Sequence, residues 1–475
     1  MKRTKTIVIA ILSMVATSVV GARPAAPDKV DDYVTAEMKK EHIPGLALGV
    51  YRNGEIVKGQ GYGFANVELE APVKPQTIFQ SGSVGKQFTA TGIMMLAEEG
   101  KVGLDDPITK YFPDGPAFWK EIKVRNLLSH TSGLAEYESD AQTGPSGPFY
   151  LRLDFTEDEL LKKIEALPRE FGAGEQWNYR NTNYVLLGFL IHKVTGKFYG
   201  DYLGERIFKP LGMTATRIIS EADIVPQRAA GYRLVKGELK NQEWVSQSFN
   251  STADGALYFN ILDLAKWDAA LYTEKLIKKS SLDQMWTVMK LNDGKPNKAN
   301  YGFGWGITRV NGHKLIQHGG AWQGFTTYIA RYVDDKLTVV VLTNLDAARP
   351  GKIAHNVAGL YIPEVRPPER KPIEDKDPEV TALLRDTLQK ITDGKADPEA
   401  FTPDLRKELF PERILAIGEE LKAQGPVKSL DLMERKAEQG NRAYTYRLVY
   451  ADSTFFITLQ LTGQNKIAAL EPAEE

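Results

Sequence analysis

Strand signals sit at both ends of one long stretch of this chain, and the residues between them read as helix. Near the start, Gly45–Tyr51 and Glu55–Gly63 are joined by Asn53-Gly54, the dipeptide that most favours a tight hairpin. Far downstream, Leu315–His318, Phe325–Tyr332 and Leu337–Asn344 repeat the strand texture, with Asp334-Asp335 as a turn. Apolar spacing is helical over Val84–Glu99, Thr156–Ala166, Asn181–Thr195 and Gly200–Phe208, and again over Asp28–Lys40 before the hairpin. The prediction is an α+β fold of the α/β-sandwich kind. One antiparallel sheet is built from both ends of the stretch and flanked by helices, a helical lobe is inserted, and the cleft between sheet and lobe is the natural site.

Beyond Tyr361 the texture changes. Residues 363–377 hold Pro367-Pro368 and many charges and read as a linker. Residues 378–475 carry helical stretches and then alternating strands such as Ala443–Tyr450 and Thr454–Leu459, a small α+β domain whose tyrosine stripe reads as one buried sheet face. At the other end, residues 1–22 combine Lys2, Arg3 and Lys5 with the apolar run Ile7–Leu12 and the small-residue site Val20-Gly21-Ala22. That is the pattern of a secretory signal peptide, with an apolar core too short for a membrane span. The expected layout is therefore a leader at 1–22, a catalytic-size domain at 23–362, the linker, and the small domain. The expected location is periplasmic or secreted, with no integral span after cleavage.

Composition removes several chemistries. The chain contains no Cys, which excludes disulfides, thiolate nucleophiles and thiolate metal sites. Its 60 Lys and Arg against 61 Asp and Glu give no field that favours nucleic acid. The six His are scattered, so no metal cluster is expected.

The chemistry-bearing stretch is Ser83-Val84-Gly85-Lys86, preceded by small residues and followed by an apolar run that stops at Gly100. A helix starting near Ser83 places its hydroxyl and the Lys86 amine on one face of the first turn. There the amine can accept the hydroxyl proton and the helix end favours negative charge. A phosphate loop fails here because Gln80 and Gln87 stand where Gly and Ser or Thr are needed, and a Gly-x-Ser-x-Gly elbow fails at Ser81. Ser129 and His130 are neighbours that point apart on a helix, and read as a structural polar turn.

Two further elements supply partners for Ser83. Tyr179 and Asn181 lie on a Gly-rich loop that ends where an apolar helix begins. The other Tyr-x-Asn matches have simpler explanations, Asn53 in the hairpin turn and Asn260 as a helix cap. His318-Gly319-Gly320-Ala321 closes a strand, where two glycines let a ligand backbone approach and the imidazole can donate to a carboxylate or carbonyl.

In this order the three elements resemble the serine β-lactamase and penicillin-binding-protein superfamily, in its branch of class C β-lactamases, D-alanyl-D-alanine carboxypeptidases and esterases. The resemblance runs from Asp28 to Tyr361 and includes His42–Gly45, Leu127–Leu134, Pro210–Met213, Leu264–Trp267 and Tyr301–Gly306. It implies an acyl-enzyme hydrolase acting on a small-molecule or peptide acyl substrate, with no metal and no cofactor. By similarity Ser83 is the nucleophile, Lys86 its proton acceptor and Tyr179 the general base and acid. Asn181 holds the substrate amide, His318–Gly320 is the binding strand, and the N–H groups of Ser83 and Ala321 form the oxyanion hole. A rival reading, a penicillin-recognising module that binds cell-wall or acyl ligands without turnover, is opposed by the presence of every expected catalytic residue type.

Two positions depart from the family. His-Gly-Gly stands where the branch's β-lactamases carry Lys-Thr-Gly, replacing a fixed cation by an imidazole that is mostly neutral near pH 7, which argues against efficient β-lactam hydrolysis. Arg180 stands where the family commonly has Ser, pointing to solvent or adding a cation at the cleft. The C-terminal domain lies outside the pattern and loosely resembles nuclear-transport-factor-2-like or cystatin-like folds.

Overall fold

The computed structural model of the chain describes residues 28–366, 371–438, 441–451 and 454–473; the expected signal peptide lies outside these. Its first helix, α1 (Lys29–Lys40), is started by the Asp28 carboxylate, which accepts from Val30 N and Asp31 N in a reciprocated capping box. Val30, Val34 and Met38 fall four residues apart on its buried face. The hairpin follows as β1 (Gly45–Arg52) and β2 (Glu55–Asn66), and both turn residues adopt positive φ, 55° at Asn53 and 81° at Gly54, which this tight turn requires.

A seven-stranded antiparallel sheet then forms from both ends of the stretch. With β3 (Ala71–Pro72), β4 (Gly306–Val310), β5 (His313–Trp322), β6 (Phe325–Tyr332) and β7 (Leu337–Thr343), its order is β3-β2-β1-β7-β6-β5-β4. The two chain ends meet at its centre, where Leu48 pairs with Val341. Strand β1 is covered on both faces. Leu46, Leu48 and Val50 pack with α1 and the helix Pro350–Tyr361, while Ala47 and Tyr51 join the core of the helical lobe.

Two helices carry that lobe toward the site, α2 (Lys86–Glu98) and α3 (Asn181–Thr195). Every residue of α2 from Lys86 to Leu96 is buried, so a cation at its first position needs partners inside the protein. The expected helix over Gly200–Phe208 is present as Tyr199–Leu203 and a π-helical turn. Asp140–Thr143 forms one helical turn.

After residue 377 a second sheet appears, four antiparallel strands in chain order between Ser429 and Pro472, accompanied by the helices Pro378–Thr392 and Glu412–Gln424. Tyr444 and Tyr446 lie two apart on one strand, fully buried and stacked at 6.4 Å, as the period of a half-buried strand demands. Among the described residues no helix is long and apolar enough to cross a membrane.

Candidate active site

Ser83 sits in a 3-10 turn, Gly82–Gly85, and the α-helix proper begins only at Lys86. The tighter turn brings positions i and i+3 into line, which suits the Ser83–Lys86 spacing better than the α-turn expected from sequence. The turn is wedged between β5 and the segment 254–255, and its small residues follow from that squeeze. Gly82 has φ +49°, and a Cβ there would lie 2.4 Å from Ala321 N; one on Gly255 would lie 2.8 Å from Gly82 C. The approach is fastened by Thr327 Oγ1, which donates to Ser81 O at 2.6 Å, and by Ser81 Oγ, which donates to Gly255 O at 2.7 Å.

Lys86 is fully buried and its ammonium is satisfied three times. Nζ donates to Ser83 Oγ at 2.9 Å, to Asn181 Oδ1 at 2.7 Å and to Asp254 O at 2.5 Å, using all three protons. It also lies 5.0 Å from the Tyr179 ring centre and 5.5 Å from that of Tyr184. A buried cation so held donates one N–H to the Ser83 oxygen and stabilises negative charge that develops beside it.

Asn181 opens α3 and bridges two charged groups rather than facing the cleft alone. Its carbonyl takes Lys86, its amide donates to Glu138 Oε2, and its backbone N–H donates to Glu136 Oε2 at 2.7 Å. Tyr179, two residues earlier, is half-buried with its hydroxyl oxygen inside. Burial raises its pKa above the usual tyrosine value, against the pull of the Lys86 ammonium and the Ser83 hydroxyl. Glu138 is pushed well above the carboxylate range by burial, with the Asp254 and Glu136 carboxylates adding to the shift. Arg180, between Tyr179 and Asn181, adds no free cation to the cleft: it forks onto Glu170 in a partly exposed pair, with Nη2 2.8 Å from Oε2.

His318 lies on β5 beside the site, but the expectation that its imidazole donates to a substrate is corrected. Nδ1 lies 2.6 Å from Gly319 O, so it carries the proton, and Nε2 accepts from the Tyr301 hydroxyl at 2.7 Å. Burial lowers its pKa to about 4, so the ring is neutral near pH 7. The two glycines after it also differ. A Cβ on Gly320 would strike Ser81 O at 2.3 Å, whereas one on Gly319 would meet only the Tyr328 ring at 3.3 Å. Gly320 is small to admit this chain's own Ser81–Ser83 segment, not a ligand.

These residues border one open cleft of about 550 Å³, which Ser83, Tyr179, Asn181 and residues 318–321 line together. A narrower recess continues past Ser83 between Glu138, Asp254, Phe249 and Trp322. Among the described residues lining either space there is no Lys or Arg, and no described group of three or more His, Cys, Asp or Glu is placed to hold a metal ion. All eight residues expected from sequence therefore converge. Those missed are Glu138 and Asp254, which no local motif marks, and Tyr301, whose Tyr-Gly-Phe-Gly-Trp-Gly setting was visible but not its contact with His318. The Ser129 and His130 side chains do not touch: the Ser129 hydroxyl donates to Arg125 O at 2.7 Å, as a polar turn requires.

Comparison with known proteins places this geometry. The sequence pattern of the family described as Beta-lactamase matches residues 30–361. A penicillin-binding protein of Bacillus subtilis (strain 168) is 30% identical over 325 residues, 64% of this chain and 69% of that one. The octameric penicillin-binding protein homologue from Pyrococcus abyssi superimposes with a TM-score of 0.63 at 26% identity, covering 91% of this chain and 90% of that one. A D-stereospecific amidohydrolase from Streptomyces sp. covers 70% of this chain and 98% of its own, with a TM-score of 0.58 at 26% identity.

Proposed function

We propose that this chain, which belongs to the β-lactamase family, is an exported serine hydrolase that works through an acyl-enzyme on Ser83. The observation that carries the reading is the Lys86 ammonium, buried and 2.9 Å from Ser83 Oγ, with Tyr179 over it. Ser83 Oγ attacks the acyl carbon while its proton passes to the Tyr179 oxygen in its deprotonated form, whose charge the Lys86 ammonium offsets. The backbone N–H groups of Ser83 and Ala321, brought together by the missing side chains of Gly82 and Gly320, receive the developing oxyanion. The Lys86–Tyr179 pair then returns the proton to the leaving group, and water, activated by the same pair, releases the acyl group.

The electrostatics of the cleft narrow the acyl donor. A free carboxylate is best met by a fixed cation, and among the described residues no Lys or Arg lines the cleft; the recess beside Ser83 presents the Asp254 carboxyl and the Glu138 carboxyl, which burial favours in its neutral form. Neutral esters and amides, and amino-acyl amides or D-amino-acid peptides with a free amine, are favoured over β-lactams and peptides ending in a carboxylate. The likeness to a D-stereospecific amidohydrolase supports the amide side of this reading, and the leader pattern of residues 1–22 supports export.

Parallel rates on a p-nitrophenyl ester, a D-amino-acid amide, a D-Ala-D-Ala peptide and nitrocefin test it. The expected order places ester and amide well above the other two, with Lys86→Ala and Tyr179→Phe losing most turnover while remaining folded. Near-normal rates in both variants would remove the proposed roles, and absence of turnover on all four substrates would favour a binding module.

A further inference from the structure

We infer that His130 is the positioning residue for Tyr179, holding three successive residues of the tyrosine loop in register with the Ser83–Lys86 pair. The inference rests on the role given to Tyr179 above. The Asn178 N–H donates to His130 O at 3.0 Å, and the Arg180 N–H donates to His130 Nδ1 at 3.2 Å. Between them the Tyr179 ring lies over the imidazole, with centres 4.2 Å apart and planes tilted by 35°. One residue thus engages 178 through its carbonyl, 179 through its ring face and 180 through its ring nitrogen.

The neighbouring contacts extend the same template. Gly174 N–H donates to Thr131 O at 2.7 Å and Glu170 N–H to Gly133 O at 2.8 Å, so residues 130–133 form the strip on which the loop 170–180 is laid. His130 adopts φ +58°, a left-handed conformation that a side chain bearing a Cβ takes only where its surroundings impose it. On the outer side Arg180 closes the loop, with Nη1 donating to Tyr179 O at 3.0 Å and its fork on Glu170.

The tautomer of His130 follows from its donors. Asn183 Oδ1 accepts from Ser132 Oγ at 2.6 Å, which turns the Asn183 amide group toward His130 Nδ1 at 3.2 Å. Nδ1 therefore faces two donors and carries no proton, leaving the proton on Nε2. Burial, with the nearby Lys86 and His318, lowers the pKa of the ring well below the usual value and keeps it neutral. This matters because no hydrogen bond of standard geometry fixes the Tyr179 hydroxyl among the described residues, so the ring packed against it contributes to its orientation.

A double-mutant cycle on the full chain tests the inference. His130→Asn keeps the backbone carbonyl and tolerates positive φ but removes the ring face; His130→Phe keeps a ring and removes the Nδ1 acceptor. Displacing a proton-transfer group by about 1 Å costs about a hundredfold, so each variant is expected to lower kcat on a p-nitrophenyl ester by about 10–100-fold and to leave KM within about threefold. The pH at which the rate rises is expected to move in both. In the Tyr179→Phe background the same substitutions are expected to add nothing. Normal kcat and an unmoved pH profile in folded His130 variants, beside a crippled Tyr179→Phe, would overturn the inference alone. Independent losses in the double variant would also overturn it, and a near-normal Tyr179→Phe would overturn both readings. Nitrogen NMR of the unmodified protein gives a check that does not depend on variants folding: the His130 ring is expected neutral and protonated at Nε2 at pH 6, and a proton on Nδ1 would contradict the template.

Discussion

Substituting the two adjacent glycines of β5 separates a packing requirement from a ligand requirement. In Gly320→Ala the new methyl would sit 2.3 Å from Ser81 O, 2.6 Å from Thr327 Oγ1 and 2.9 Å from Ser83 N, where ordinary contacts begin at 3.4 Å. The Ser81–Ser83 segment must therefore retreat by about 1 Å, carrying the hydroxyl away from Lys86, and a displacement of that size costs about a hundredfold in rate. Stability falls too. Overpacking costs about 1–3 kcal/mol and loss of the Thr327–Ser81 hydrogen bond about 1 kcal/mol, for a sum of about 2–4 kcal/mol. Gly319→Ala is the control, since its methyl meets only the Tyr328 ring at 3.3 and 3.5 Å. It is expected to hold kcat within about threefold and stability within about 0.5 kcal/mol, as substitutions away from tight packing do. Ester hydrolysis and urea denaturation read both quantities. A Gly320→Ala variant with near-normal kcat/KM, or a Gly319→Ala variant equally damaged, would refute the argument that the nucleophile turn occupies the space a side chain would need.

Two further outcomes follow from the same contacts. Burial holds the pKa of the Tyr179 phenol above its usual value near 10, so its base form is scarce at neutral pH. The rate should then climb about tenfold per pH unit through the mildly alkaline range in the parent and lose that slope in Tyr179→Phe, as a pH–rate profile would show. Away from the site, Arg331 and Asp268 form a buried pair, Nε to Oδ1 at 2.6 Å, with the guanidinium 4.8 Å from the Tyr272 ring and 5.0 Å from Trp286. Asp268→Ala strands that charge and is expected to cost about 3–5 kcal/mol by urea denaturation, whereas Arg331→Met with Asp268→Leu should cost much less.

The sheet was legible because short apolar, strand-like runs stand at both ends of the stretch and Asn53-Gly54 marks a hairpin, and Leu48 and Val341 pair where the two ends meet. The convergence of Ser83, Lys86, Tyr179 and Asn181 was legible because their elements, in chain order, resemble those of the β-lactamase family; the local helix start and Gly-rich loop alone only nominated them. What each group touches was not. His318 is occupied by a tyrosine from another segment, and its strand-end position carries no sign of that. Arg180 is turned away by Glu170 on the same loop, a pairing that depends on how the loop folds back. Glu138 and Asp254 enter the recess through tertiary approach alone. The helix begins at Lys86 rather than near Ser83 because the squeeze between β5 and Gly255 tightens the preceding turn, and apolar spacing does not register that difference.

The central claim is that Ser83 forms a covalent acyl bond assisted by Lys86. Incubating the protein with a fluorophosphonate, digesting it and locating the adduct by mass spectrometry addresses that claim most directly. The account predicts one adduct, on the peptide containing Ser83, absent in Ser83→Ala and formed far more slowly in Lys86→Ala. No adduct, or one that persists in Ser83→Ala, would contradict it.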